Sequence, residues 1–221
     1  MRIVSTNLAQ LRTVLWNGAP VQTGIFKYPV TPPVVLGKED VVGDRVVEHK
    51  FHGGYDKACY LFSLDHYPYW RAQYPQLEWD EGMFGENLTV EGLDETKLHI
   101  GDIYRIGEAL VQVSQPRQPC FKLGIRFGDQ GIIKPFIESG HSGTYVRVLE
   151  EGRVHIGDEL QLVERNEDAI TIRDLFWLLY NKNATPEDFA TAAATPNLAE
   201  SAVQSLEKRK RLALERDRVT T

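Results

Sequence analysis

Short apolar runs, interrupted by glycine and proline, fill residues 1–115 and limit what this chain can fold into. Runs of this length separated by turn-forming residues are typical of a β-barrel or β-sandwich. The candidate strands are residues 21–27, 34–36, 41–49, 58–62 and 109–113, with Gly18-Ala19-Pro20 and Thr31-Pro32-Pro33 as loops between them. We therefore predict a mainly β domain, either a barrel or a sandwich.

A three-residue motif recurs beside these runs, as Val42-Gly43-Asp44, Ile100-Gly101-Asp102 and Ile156-Gly157-Asp158. Glycine accepts a positive φ, and an aspartate side chain satisfies the backbone of a turn. Each copy is predicted to form a tight turn before a strand. The motif is interpreted as architecture and not as chemistry.

One helix is predicted within the β region, over residues 64–74, with Ser63 as its N-cap. Pro68 falls in the first turn, where proline is tolerated. Tyr67, Trp70 and Tyr74 recur at helical spacing. This aromatic stripe is interpreted as core packing and not as a base-stacking platform.

The pattern changes after Glu164. Thr171 with Asp174, Thr185 with Asp188, and Asn197 with Glu200 each place a capping side chain three residues before a carboxylate. Three such starts predict a compact three-helix domain over residues 168–218, following a β domain over residues 1–165.

Charge and composition exclude several classes of protein. A net charge of −6 argues against bulk affinity for nucleic acid or acidic lipid, and the basic run at residues 207–211 suits a solvated helix end. The first residues lack the apolar region of a signal peptide, and no apolar run approaches the roughly 20 residues that a membrane span needs. Two cysteines offer no disulfide framework. We expect a cytoplasmic protein that binds neither membrane nor nucleic acid directly.

The segment Ser114-Gln115-Pro116-Arg117-Gln118-Pro119-Cys120 carries the clearest chemistry. The prolines end the preceding strand and force a rigid turn, because each lacks a backbone donor and has a fixed φ. Arg117, with Lys122 beyond the turn, favours the thiolate of Cys120, which is the form that attacks electrophiles and binds soft metals. The alternative is a small buried cysteine in the core.

Two further segments are candidate parts of a site. His52, Gly53, Gly54 and Lys57 could form an anion cradle from exposed amides and cations, although paired glycines also make ordinary turns. Gly85, Glu86 and Asn87 leave a turn and enter a strand, so they could contact a ligand or cap the turn. A cysteine protease would need a base near Cys120, and the spacing of the six histidines selects none of them.

Together these segments resemble the successive signatures of the MOSC domain, named for the C-terminal domain of molybdenum cofactor sulfurases. The matching residues are Val42-Gly43-Asp44, His52-Gly53-Gly54, Asp56-Lys57-Ala58, Gly85-Glu86-Asn87-Leu88, Gly101-Asp102 and Gln115–Cys120, so the core signatures span residues 42–123. The likeness covers roughly residues 20–165, and the helical tail resembles that of the bacterial YiiM branch.

This resemblance implies a MOSC-type, barrel-like domain that binds a molybdopterin-type molybdenum cofactor. In the family, the cysteine that matches Cys120 is proposed to ligate molybdenum or to carry sulfur. The resemblance assigns cofactor contacts to His52, Gly53, Gly54, Lys57, Gly85, Glu86, Asn87 and Arg117. Pyridoxal phosphate is not expected.

The implied function is reduction of N-hydroxylated compounds, such as hydroxylaminopurine-type base analogues, for detoxification. Electrons would come from a separate reductase, because two cysteines cannot hold an iron–sulfur cluster that needs four. One alternative is a sulfur or cofactor carrier with a persulfide on Cys120 and no redox turnover. A second is an interaction module whose helices dock a partner, and the sequence leaves a homodimer open.

Overall fold

The computed structural model of the protein describes residues 1–45, 47 and 53–219. His52 therefore lies outside the described residues. The described strands are β1 (Arg2–Ala9), β2 (Arg12–Trp16), β3 (Ala19–Thr23), β4 (Lys27–Pro29), β5 (Val34–Leu36), β6 (Cys59–Ser63), β7 (Leu88–Glu91), β8 (Ile103–Ile106), β9 (Ala109–Pro116), β10 (Thr144–Glu150), β11 (Gly152–Val154) and β12 (Leu160–Glu164). The helices are α1 (Tyr67–Gln73), α2 (Phe121–Phe127), α3 (Ile133–Ser139), α4 (Ile172–Tyr180), α5 (Pro186–Ala193) and α6 (Glu200–Val219).

Eight strands form the main sheet, in the order β12-β8-β9-β10-β6-β7-β1-β4. Its neighbours pair antiparallel except β6 and β7, which are parallel. The sheet curls so that the segment before β12 approaches β1, where Ile3 N donates to Asp158 O (2.8 Å) and Gly157 N donates to Ile3 O (2.8 Å). The mainly β, barrel-like fold is confirmed, although the barrel is not fully closed.

Two clusters of buried side chains form the core. The aromatic cluster includes Phe62, Trp70, Phe84 and Phe136, and it receives one face of α1. The larger, mostly aliphatic cluster joins the sheet to residues of α4, α5 and α6. The C-terminal helices therefore share a core with the sheet, and the division into residues 1–165 and 168–218 stays a prediction.

The repeated turn motif has the predicted conformation. Gly43, Gly101 and Gly157 have φ values of +88°, +88° and +97°. The amide of the following aspartate donates to the carbonyl three residues earlier in each copy, at 2.9–3.2 Å. Each motif is therefore a tight turn.

The predicted strands over residues 21–27 and 41–49 are not formed as single strands in the structure. Residues 21–27 divide into the end of β3 and the start of β4, and Gly24 lies at the break. A Cβ on Gly24 would stand 2.0 Å from the carbonyl oxygen of Arg45, so this close approach requires glycine. Of the predicted strand over residues 41–49, Val41 makes a single bridge to Leu36 before the chain turns, and residues 46, 48 and 49 lie outside the described part.

The first helix starts with a 3₁₀ turn (Leu64–His66) and continues as α1, and Ser63 makes no side-chain cap. Tyr67, Trp70 and Tyr74 are buried, so their predicted role in the core is confirmed. In the described part of the chain, none of the helices combines the length and apolar character needed to cross a bilayer.

The caps of the C-terminal helices are only partly as predicted. Thr171 Oγ1 accepts from Asp174 N (3.0 Å), and Thr185 and Asp188 form a capping box. The predicted cap at Asn197 is wrong, because Asn197 has a φ of +64° and α6 begins only at Glu200. A distant side chain takes the role of the cap: Glu200 N donates to Asp56 Oδ2 at 2.9 Å.

Candidate functional site

A cavity opens beside the end of β9. Among the described residues, six segments distant in sequence meet around it and form its wall, represented by Ile25, Asp44, Lys57, Asn87, Cys120 and Tyr145. Cys120 belongs to this wall, and its side chain is partly exposed. The thiol is therefore accessible from the cavity.

Cys120 is placed by the junction of a strand and a helix. β9 ends at Pro116 and α2 begins at Phe121, with Cys120 in extended backbone at the helix N-cap. The other cysteine, Cys59, is fully buried in β6, and burial raises the pKa of its thiol. Of the two cysteines, Cys59 thus fits the role of a core residue, whereas Cys120 faces a cavity.

Arg117 lies deep in the wall of the cavity and is 5% exposed. Its guanidinium carbon lies 5.3 Å from the ring centre of Tyr60 and 5.5 Å from that of Phe136, which are cation–π distances. Its Nη1 has no hydrogen-bond partner among the described residues. A buried donor without a partner is costly, so this atom indicates a place for an acceptor on a ligand.

The cavity is rich in positive charge although the whole chain is acidic. Among the described residues of its wall, the carboxylate of Asp44 is outnumbered by five cations, which are Lys27, Arg45, Lys57, Arg117 and Lys122. Burial lowers the pKa of Lys57, and the nearby Asp56 opposes this effect. Such a surface attracts anions.

Asp44 is held by groups from three other segments. Its Oδ1 accepts from Ala9 N (2.8 Å), and its Oδ2 accepts from Asn87 Nδ2 (2.8 Å) and from Lys27 Nζ (2.5 Å). The side chains of Lys27 and Asp44 are only 10% and 2% exposed. The ion pair is therefore part of the inner wall.

The structure brings five of the predicted site residues together around the cavity, namely Lys57, Gly85, Asn87, Arg117 and Cys120. Gly53 and Gly54 are not among the lining residues; Gly54, with a φ of +84°, starts the 3₁₀ turn that carries Lys57. Glu86 is fully buried below the cavity, where its carboxylate accepts from the amides of Gly82 and Phe84. Roles in cofactor binding stay predictions for all of them, including His52.

Sequence reasoning missed several wall residues, notably Lys27, Tyr60 and Tyr145. Isolated lysine and tyrosine residues in strands carry no local signal of a site. Asp44 did stand in a recognised motif, but its turn conformation gave no reason to expect a contact with Lys27. These residues emerge only from the pairing of distant strands.

A second polar cluster, His66, Glu95 and His141, lies away from the cavity, with its ligand-type atoms within 4.8 Å of one another. The two imidazole rings are stacked, with centroids 3.5 Å apart and planes 26° apart. Nearly parallel rings this close cannot both aim an in-plane lone pair at one ion. Arg173 Nη2 also lies 2.9 Å from His141 Nδ1. The arrangement is a hydrogen-bonded cluster and not a prepared metal site.

Comparisons with known proteins agree with the fold. The MOSC domain profile matches residues 48–161. Uncharacterized protein YflK of Bacillus subtilis (strain 168) is 42% identical over 171 residues, 77% of each chain. Protein YiiM of Escherichia coli (strain K12) is 32% identical over 190 residues, 85% of this chain and 84% of that one.

Two more similarities are informative. A protein of Gibberella moniliformis (strain M3125 / FGSC 7600) named Reductase is 39% identical over 151 residues, 67% of this chain but only 27% of its own length. The crystal structure of YiiM from Geobacillus stearothermophilus superposes with a TM-score of 0.78 at 37% identity, covering 95% of this chain and 98% of that one.

Proposed function

Because this chain belongs to the MOSC-domain family and has YiiM-type relatives, we propose that it is an oxidoreductase that holds a molybdenum cofactor in the Cys120 cavity. The proposed reaction is the reduction of N-hydroxylated compounds, such as hydroxylaminopurine-type base analogues. The observation that carries the proposal is the joint presence, in one cation-rich cavity, of a partly exposed thiol and a buried guanidinium nitrogen that has no partner in the described part of the chain.

The residues present suit such a cofactor. A thiolate is a soft ligand of the kind that molybdenum in a pterin dithiolene accepts, and Cys120 would provide it. A terminal phosphate needs cations and N–H donors; Arg117 Nη1 lacks an acceptor, and Lys57 and Lys122 line the same wall. Asn87 and Gly85 line the same cavity.

The reaction consumes two electrons and two protons: R–NHOH + 2 e⁻ + 2 H⁺ → R–NH₂ + H₂O. When bound, the cofactor would supply the redox centre that removes oxygen. The chain itself would orient the substrate, and Lys27, kept beside Asp44, would offer N–H donors to the hydroxyl oxygen. Electrons would come from a separate reductase; the similarity to a longer protein named Reductase supports a redox role.

The test uses protein purified from a host that makes molybdenum cofactor. Two quantities are measured: the molybdenum and pterin content per chain, and the rate at which a hydroxylaminopurine is reduced with an artificial electron donor. We expect stoichiometric molybdenum and turnover in the unaltered chain, and loss of both in Cys120→Ala. Cys59→Ala is the matched control, because this cysteine is sealed in the core; it should keep metal and turnover.

Full turnover in Cys120→Ala would refute the assignment of the thiol. A persulfide on Cys120 in protein that contains no metal and has no reductase activity would instead favour the carrier function.

A further inference from the structure

The first turns of α6 run along the segment that leads to Cys120, which we call the Cys120 loop (residues 114–120). The contacts are polar and cross more than 80 residues of sequence. They are Ser201 Oγ to Gln115 Oε1 (2.7 Å), Gln118 Nε2 to Ser205 Oγ (3.3 Å) and Ala199 N to Ser114 O (3.2 Å). The first turns of α6, with Ala199 just before them, thus contact the Cys120 loop at Ser114 and Gln115 and again at Gln118, two residues before the thiol.

The start of α6 is also attached to the segment that carries Lys57. Asp56 Oδ2 accepts from Glu200 N (2.9 Å), and Asp56 Oδ1 accepts from Arg147 Nε (2.5 Å). Asp56 directly precedes Lys57, which lines the cavity. One helix end is therefore connected both to the Cys120 loop and to the turn that carries Lys57.

The serines are separate from the surface that packs α6 onto the protein. That surface is formed by fully buried apolar residues, with Ala202 and Leu206 at its centre. Ser201 and Ser205 lie half-buried at the edge of this face. Ser205 Oγ also donates to Ser201 O (2.8 Å), which orients its hydroxyl. Removing the two hydroxyls should leave the apolar packing unchanged.

We propose that Ser201 and Ser205 are positioning residues for Cys120, so that the C-terminal helix sets the access and electrostatic environment of the thiol. The loop transmits the constraint because Pro116 and Pro119 leave it little backbone freedom. Held in this way, the thiol keeps its place in the cavity wall that it shares with Arg117. This inference does not depend on which ligand the cavity binds.

The test measures alkylation of Cys120 by iodoacetamide between pH 5 and 10 in the full chain, without any cofactor. In Ser201→Ala/Ser205→Ala the rate should rise about three- to tenfold, the range that corresponds to one net hydrogen bond. A general loosening of the fold would also expose Cys59, which is fully buried, to alkylation.

Three further variants make the test specific. Ser139→Ala, which removes a helical hydroxyl that bonds Phe136 O and does not line the cavity, is the matched control and should react like the unaltered chain. Ser201→Thr keeps the hydroxyl, so Cys120 in this variant should be alkylated as slowly as in the unaltered chain. A double-mutant cycle of Ser201→Ala with Gln115→Met should be non-additive, because both changes break the same bond.

An unchanged alkylation rate in the double serine variant, or additive effects in the cycle, would overturn the inference. If the double variant does not fold, the cycle on Ser201 and Gln115 decides alone. Since alkylation requires neither molybdenum nor substrate, failure here is distinguishable from failure of the proposed reductase function.

Discussion

Lys27 Nζ lies 2.5 Å from Asp44 Oδ2, and both side chains line the same cavity as Cys120. Burial raises the pKa of Asp44, but the contacts with Lys27, Asn87 and Ala9 outweigh burial and lower this pKa below its ordinary value. The cavity wall therefore contains an ionised carboxylate with a cation beside it.

Asp44 differs in this respect from the other two aspartates of the repeated turn. Asp102 Oδ2 accepts from His99 N (3.0 Å) and Asp158 Oδ2 accepts from His155 N (2.8 Å), so both bond the backbone three residues earlier. Asp44 keeps the turn but directs its carboxylate to Ala9 and Lys27. One copy of an architectural motif has thus become part of the cavity.

Asp44→Asn should destabilise the protein by about 3 kcal/mol at pH 7, because it leaves the buried ammonium of Lys27 without a counter-charge. Because the folded-state pKa of Asp44 is lowered, its stabilisation is present above the ordinary value of 3.8 and is lost as the pH falls through the lower folded-state value. Urea unfolding at several pH values measures the difference in the free energy of unfolding between the variant and the unaltered chain. Asp158→Asn, at the more exposed copy, is the control and should cost under about 1 kcal/mol. Equal losses at the two positions would contradict the prediction.

Arg117→Met should separate binding from folding. The free protein should stay within about 1 kcal/mol of the unaltered chain, because the lost cation–π contacts are offset by removal of a buried donor without a partner. Affinity for molybdopterin should fall about tenfold or more, as expected for loss of a charged hydrogen bond. Isothermal titration and urea unfolding measure the two quantities. An affinity for molybdopterin within twofold of the original would show that Arg117 does not bind it. The control is Arg126→Met, because Arg126 lies outside the cavity wall.

Glu95→Gln should remove a pH-dependent part of the stability. Burial raises the pKa of Glu95, but His141 and His66 outweigh burial and lower it to about 2. A lowered folded-state pKa stabilises the fold above the ordinary value of 4.5 and ceases to do so as the pH falls to about 2. The variant should therefore be less stable by about 3 kcal/mol above pH 5, with a difference that shrinks toward pH 2. A difference independent of pH would show that the carboxylate's charge is not responsible.

Asn197 should behave as a left-handed backbone position and not as a helix cap. Asn197→Gly should be neutral or slightly stabilising, whereas Asn197→Ala should cost about 1 kcal/mol, because its φ of +64° strains residues with a Cβ. Thr185→Ala, which removes a true cap, should also cost about 1 kcal/mol. Thermal unfolding of the three variants checks the order. If glycine were as damaging as alanine at residue 197, the side chain and not the backbone would be the important element.

Much of the fold could be predicted because its signals are local. The glycines of the repeated turns, the caps at Thr171 and Thr185, and the aromatic stripe of α1 each depend on residues a few positions apart. The predicted cap at Asn197 was wrong because a distant contact replaced the local one. The backbone amide of Glu200 donates to the carboxylate of Asp56, which lies 144 positions away in the sequence.

The sequence predicted which segments form the candidate site, but it did not predict which side chains contact one another there. Cys120, Arg117 and Lys57 stand in recognisable motifs, and the structure brings them to one cavity. Lys27, Tyr60 and Tyr145 occupy strand positions with no distinctive neighbours, so nothing local marks them. Glu86 belongs to a family motif, yet its carboxylate is bonded to backbone amides inside the protein.

By itself the sequence determined the β-rich class, the helical tail, the turns and the proline-stiffened loop with its cysteine, because backbone preference and capping act over a few residues. Tertiary structure alone decided that Asp44 faces Lys27, that Arg117 Nη1 finds no partner among the residues described, and that α6 lies against the Cys120 loop. These contacts depend on how the strands pair and curl. Strand pairing joins residues far apart in sequence, so no short stretch of the chain contains the information.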